Sequence, residues 1–289
     1  MTMKRFSILL ALVLLIGGTL NAKGLKGNGN IKTQKVEVAG FDEITLTVPA
    51  TVNFSHSDTF SCSITIDENI LPYISFKVVG DDLLIRQLPS KDGKPLLAFN
   101  FGEKEVNLPL YKYEELEPTQ FVINITAPRL EDVKVVGVGT FCLTEDFLDL
   151  KLDVDITGSG QFVSRKMVKV SDLDIDINGS GSAHLSQVNA PKTSVSISGS
   201  GTATLTGAYM ELDLKVAGSG DIKASGEALQ AKAKVAGSGS IRMGNIIQML
   251  DYEIAGSGQI FFSGSAEPRG FIAGSGLLRH VEFDIKTED

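Results

Sequence analysis

The chain has 289 residues and a formal net charge of -8. That acidic balance argues against a nucleic-acid partner and suits a soluble, exported protein. The two cysteines, Cys62 and Cys142, leave a disulfide open, because an oxidising compartment permits one but nothing in the sequence places them together.

Lys4 and Arg5 precede a nearly unbroken apolar run from Phe6 to Ile16. Gly17, Gly18 and Thr19 break it, and Leu20-Asn21-Ala22 offers a small residue before a cut. Residues 1–22 therefore read as a secretory signal peptide cleaved after Ala22. The run is too short for a comfortable membrane span, so no transmembrane helix is expected in the mature chain. No cysteine follows it to carry a lipid.

Residues 23–35 are small, polar and glycine-rich, and read as a flexible leader. Residues 36–130 read as an N-terminal β-rich part. Ile44, Leu46 and Val48 alternate with Thr45 and Thr47 before Pro49 stops the strand. Val52–Phe54, Ser61–Ile66 and Phe121–Ile125 look like further strands. Ile74–Val78 and Leu83–Ile85 flank a turn at Gly80-Asp81-Asp82. This part shares the rhythm of the C-terminal repeats without their glycines, and is expected to begin the same stack as irregular coils. Residues 89–118 form an irregular excursion carrying Phe99, Phe101, Tyr111 and Tyr113. It reads as a surface loop or end cap, with a recognition loop as the functional alternative.

Residues 131–285 carry the organising signal. Gly-Xaa-Gly recurs eight times, from Gly137/Gly139 to Gly274/Gly276, and the first glycines are 18 to 21 residues apart. The middle residue is serine in all but one, where Val138 stands. Such a period marks a stacked solenoid. Two residues before each corner come Val135, Ile156, Ile177, Ile197, Val216, Val235, Ile254 and Ile272. Polar and charged residues such as Asp155, Asp176 and Lys215 occupy the position just before each of these, apart from Phe271. That is period-two alternation with one buried face. After the corner, Phe141, Phe162, Ala183, Ala203, Ile222, Ile241, Ile260 and Leu278 point inward. Cys142, Val163, His184, Thr204, Lys223, Arg242, Phe261 and Arg279 point outward. The fold class is therefore all-β, a parallel β-helix with coils of 18–21 residues.

The serine column invites a catalytic reading, which the sequence does not support. A nucleophile needs a base within reach, and none of His56, His184 and His280 accompanies it. Neither a Walker loop nor a dinucleotide fingerprint follows the glycines. Asp153, Asp155, Asp174 and Asp176 form two adjacent outward columns, with Asp132 extending one of them. A hard cation or glycan chemistry would need several such oxygens to converge. On an acidic protein they read as solvated strand surface, so no calcium site and no cleavage activity is expected from them. No catalytic, cofactor-binding or metal-ligating residue is assigned.

The entry at Asn124–Gly139, the Gly-Phe-Asp-Glu-Ile segment at Gly40–Ile44 and the Val/Ile-Xaa-Gly-Ser-Gly corners resemble those of the auto-transporter adhesin head, or GIN-domain, family. The likeness spans roughly residues 36–281. It implies a right-handed, single-stranded parallel β-helix in exported proteins common in the Bacteroidetes, and carries no catalytic residues over. The expected function is a non-catalytic periplasmic, outer-membrane-associated or extracellular binding module. Its partner would be an envelope, glycan or protein ligand. Open sheet edges also allow self-association. The alternatives are a polysaccharide-processing β-helix enzyme, weakened by the absence of tryptophan for sugar stacking, and a structural spacer.

Overall fold

A computed structural model describes residues 24–89, 97–101, 104–108 and 115–281. The expected signal peptide lies outside the described residues. The chain divides into two compact units, one of Gly27–Leu88 with Pro118–Asp289, the other of Met1–Lys26 with Pro89–Glu117.

The larger unit is a β-solenoid of about seven turns. Its strands pair in parallel and in register from coil to coil. Lys151–Gly158 lies on Asp172–Gly179 so that Val154 meets Ile175 and Ile156 meets Ile177. Ile197 and then Val216 continue the column. These side chains are essentially inaccessible to water. Each one buried contributes roughly 1.5–3 kcal/mol, so like-on-like stacking is the main cohesive force. On the second side of the coils Phe54, Phe141 and Phe162 stack with centroids 6.3 and 5.9 Å apart.

The two corner glycines have different reasons to be glycine. Gly179 has φ +124°, which L side chains rarely adopt. Gly181 is ordinary in φ but crowded, since a Cβ there would sit 2.5 Å from Ile156 Cγ2. The corners also hold the stack directly. The Ser180 N–H donates to the Gly158 carbonyl at 2.8 Å, and the Ser182 N–H to that of Gly160 at 2.9 Å.

The parallel stack extends upstream. Glu43–Leu46 pairs with Asp132–Gly137 and Thr51–His56 with Thr140–Leu143, and on their far sides Asp82–Gln87 and Phe121–Ala127 continue in parallel. Beyond those strands the direction changes. Ser61–Asp67 runs antiparallel to Phe121–Ala127 and to Ile31–Lys35, and Ile74–Val79 runs antiparallel to Asp82–Gln87. Where the strand rhythm suggests irregular coils, the structure has a folded-over cap. The physical reason is that period-two alternation reports which face is buried, not which way the partner strand runs.

The glycine-rich segment before residue 36 is tied to this cap rather than loose. The carboxylate of Asp67 is fully buried. It accepts the Gly29 N–H at 2.8 Å and the Thr119 N–H at 2.7 Å. A Cβ on Gly27 would collide with it, so glycine here permits a close approach. Burial alone would raise the Asp67 pKa. The N–H groups of Gly29, Thr119 and Gln120 and the Thr119 hydroxyl outweigh that and hold it below the usual carboxylate range.

In the smaller unit Leu25–Lys26 pairs in parallel with Leu116–Glu117, and Leu97–Phe101 forms a hairpin with Lys104–Leu108. The stretch read as irregular thus contains regular pairing. Tyr111 and Tyr113 lie outside the described residues. Among the described residues no helix is long and apolar enough to cross a membrane.

Candidate binding surfaces

The outward residues of the first side form two charged columns. One runs Asp132, Asp153, Asp174, Ser194, Asp213, Lys232, Asp251. The next runs Lys134, Asp155, Asp176, Ser196, Lys215, Lys234, Glu253 in the same register. The two adjacent aspartate columns expected from the alternation are therefore present.

Lysines neutralise much of this face. Lys134 reaches Asp132 at 2.9 Å, Lys192 reaches Asp172 at 2.8 Å, Lys215 reaches Asp213 at 3.0 Å and Lys234 reaches Glu253 at 3.1 Å. Lys151 bridges Glu131 and Asp153 at 3.2 and 3.5 Å. The least compensated positions are Asp155 and Asp174. Partial burial, then the facing carboxylates, raise both above the usual range: Asp132 and Asp176 for Asp155, Asp176 and Asp153 for Asp174. Among the described residues no set of His, Cys, Asp and Glu converges in metal-holding geometry. A shallow groove of about 530 Å³ runs along this face past Asp174, Lys192, Ser194 and Asp213.

The Gly-Ser-Gly serines are exposed, and among the described residues no hydrogen bond involves their hydroxyls. They form a column of small solvated groups at a corner whose backbone does the bonding. Of the three histidines, His56 packs against Phe147 with centroids 4.7 Å apart, and its Nε2 stands 3.7 Å from Asp149. His184 is near Ser186, and His280 bonds the Gly264 carbonyl. None is placed beside a corner serine. Cys62 and Cys142 are both free thiols, and burial pushes Cys62 up to about 12, which leaves it inert as a nucleophile.

A second surface lies at the other corner of the last coils. There the parallel ladder slips between Ala224 and Glu227 and again between Arg242 and Asn245. Bulges of this kind re-aim side chains and open the strand edge. Gly226, Gly244 and Gly264 follow each other at the slip, and a groove of about 550 Å³ opens over them. Its walls carry Lys223, Ser225, Arg242, Asn245, Ser263 and His280. Arg242 lies over the Phe261 ring, 5.2 Å from its centroid. The outward column read from the sequence as Lys223, Arg242, Phe261, Arg279 is in register here. What the sequence could not show is the groove beside it.

A third surface is the last coil. Ile272 continues the interior column under Ile254, yet it is 40% exposed, with Phe271 at 57% and Leu277 at 45%. Its strands, Glu267–Gly274 and Leu277–His280, have a partner on one side only among the described residues.

Residues 40–266 match the family described as "putative auto-transporter adhesin, head GIN domain". A crystal structure of a protein described as a putative lipid binding protein, from Parabacteroides distasonis, is 30% identical, with a TM-score of 0.79 over 90% of this chain and 100% of that one. A putative adhesin from the same organism is 24% identical, with a TM-score of 0.73 over 89% of this chain and 100% of its own. Another from Parabacteroides merdae is 22% identical, with a TM-score of 0.72 over 90% and 99%. These two speak to the fold alone. Among curated proteins, none matches the chain. With its glycine corners, parallel register and family match over residues 40–266, the chain belongs to the auto-transporter adhesin head GIN-domain family.

Proposed function

We propose that this protein is an exported, non-catalytic binding module of the cell envelope. The observation that carries the reading is the in-register solenoid itself, which holds outward side chains in fixed columns while its corner serines stay apart from the histidines and thiols. Rigid scaffolds that present side chains at fixed spacing suit recognition. The basic leader followed by Phe6–Ile16 supports export. The adhesin family supports an extracellular or envelope partner. The 30%-identical relative, described as lipid binding, adds lipid to the ligand classes worth testing. Capture from solubilised envelope, with cytoplasmic extract as the comparison, tests it. Selective retention of an envelope component is expected; equal retention from both extracts would contradict the reading.

A second reading is assembly through the last coil. The exposure of Phe271, Ile272 and Leu277 beside one-sided strands favours it. Pro268 and Arg269 on the same strand oppose it, since proline and charge blunt an edge. Sedimentation at rising concentration decides: a monomer throughout removes this reading.

A further inference from the structure

We infer that the groove over Gly226, Gly244 and Gly264 is a binding site for a phosphoryl group. This deepens the binding-module reading and rests on it. Charge sets the groove apart. On the first side of the coils Lys134, Lys151, Lys192, Lys215 and Lys234 each pair with a carboxylate at 2.8 to 3.2 Å. In the groove the pattern differs. Lys223 and Arg242 are register partners on adjacent coils, so their backbones lie ~4.8 Å apart. Lys223 has no carboxylate partner among the described residues, and Arg242 reaches only Asp221, at 4.0 Å. Stacked like charges repel, and an anion between them removes the repulsion.

The shape agrees. The glycines let the coils stack closely at this corner and put no side chain over it, so the groove floor is bare backbone beside the two cations. Arg242 is braced on Phe261, which steadies the planar fork that grips phosphate oxygens in pairs. Ser225, Ser263 and the Asn245 amide supply neutral donors on the same walls. Two carboxylates lie close by: Asp221 is 4.0 Å from Arg242, and Glu227 accepts from Asn245 Nδ2 at 3.4 Å. They bound the site and disfavour a ligand of high negative charge. A phosphoryl group presents several acceptor oxygens to such a ring of donors. A carboxylate fills only one fork of it.

Phosphoryl groups reach an exported protein as free phosphate or as a lipid headgroup. The test uses the full mature chain, titrated calorimetrically with inorganic phosphate and with glycerol phosphate, and sedimented with phosphatidylglycerol or phosphatidylcholine vesicles. The variants are Arg242→Gln, Lys223→Gln and their double, with Lys232→Gln on the first side as control. Each single variant is expected to weaken binding about tenfold, the loss of one charge-assisted contact, and Lys232→Gln to leave it unchanged. Added salt should weaken it further. Arg242→Lys should recover only part, because a point charge cannot replace the fork. Binding of inorganic phosphate alone identifies free phosphate as the source; retention on phosphatidylglycerol vesicles only, lost in the double variant, identifies the headgroup. Acetate binding as tightly as phosphate, phosphate binding unchanged in the double variant, or no binding in any arm overturns the inference. Envelope capture by the double variant equal to that by the wild type would also sink it while leaving the binding-module reading standing.

Discussion

At the scale of single residues, position within the coil decides what a substitution costs. Ile177 and Ser180 are three residues apart, one sealed in the interior column and the other exposed at the corner. Ile177→Asp places an unpaired charge among Ile156, Ile197 and their neighbours, and should cost at least about 4 kcal/mol or prevent folding. Ser180→Ala should change stability by less than about 0.5 kcal/mol. Urea melts of the two variants check the pair, and comparable losses would contradict the assignment of faces. Asp67 is the opposite case, a charge the fold has accommodated. Its pKa is depressed, so its stabilisation is complete above the unfolded value of about 3.9 and is lost as pH falls through the lower folded value. Asp67→Asn should loosen the segment around Gly29 at pH 7, read as faster amide exchange at Gly29 and Thr119. The wild type should show that loosening only below about pH 4. None of this was legible in Gly27-Asn28-Gly29-Asn30, whose composition resembles a linker. A distant carboxylate orders it, and sequence proximity carries no sign of such a contact.

At the scale of elements, the strands that repeat were readable and the ones that close the stack were not. The inner columns from Val135 to Ile254 follow from a recurring apolar position locked to a glycine corner. The turn between Ile74–Val79 and Asp82–Gln87 was readable, and Ser61–Asp67 was visible as a strand, but its antiparallel pairing was not, because alternation is blind to direction. The charged face shows what register adds. Asp155 and Asp174 are partly buried beside other carboxylates of the mixed columns and have raised pKa values. For a carboxylate that sign means the fold gains when the group is protonated, and the gain is lost as pH rises through the raised folded value. Both groups are half-exposed, so screening limits the effect. Replacing both with Asn should therefore stabilise the protein at pH 7 by a few tenths of a kcal/mol each, and by nothing near pH 3. Thermal melts at the two pH values read the difference, and destabilisation at pH 7 would mean that the carboxylates serve a bond the columns do not show.

At the scale of the whole molecule, the larger unit is asymmetric along its stack. Its N-terminal end is closed by reversed strands, while its last described coil leaves Phe271 and Leu277 in contact with solvent. The groove of Lys223 and Arg242 belongs to this open half, and the neutralised aspartate columns begin in the capped half. Half of the groove was present in the sequence as an outward column of cations. The missing half was the slip in register at Gly226 and Gly244, which no count of residues per coil reveals, since the bulge moves side chains without changing which of them are apolar. Binding and cleavage make different demands on such a molecule, because cleavage needs acid and base brought to one bond whereas binding needs only fixed contacts. The most direct measurement is therefore affinity capture from fractionated envelope on the immobilised mature chain, with mass spectrometry of the ligand before loading and after release. The account predicts an envelope component retained and released with its mass unchanged. Shortened ligand fragments in the eluate, or nothing retained at all, would contradict it.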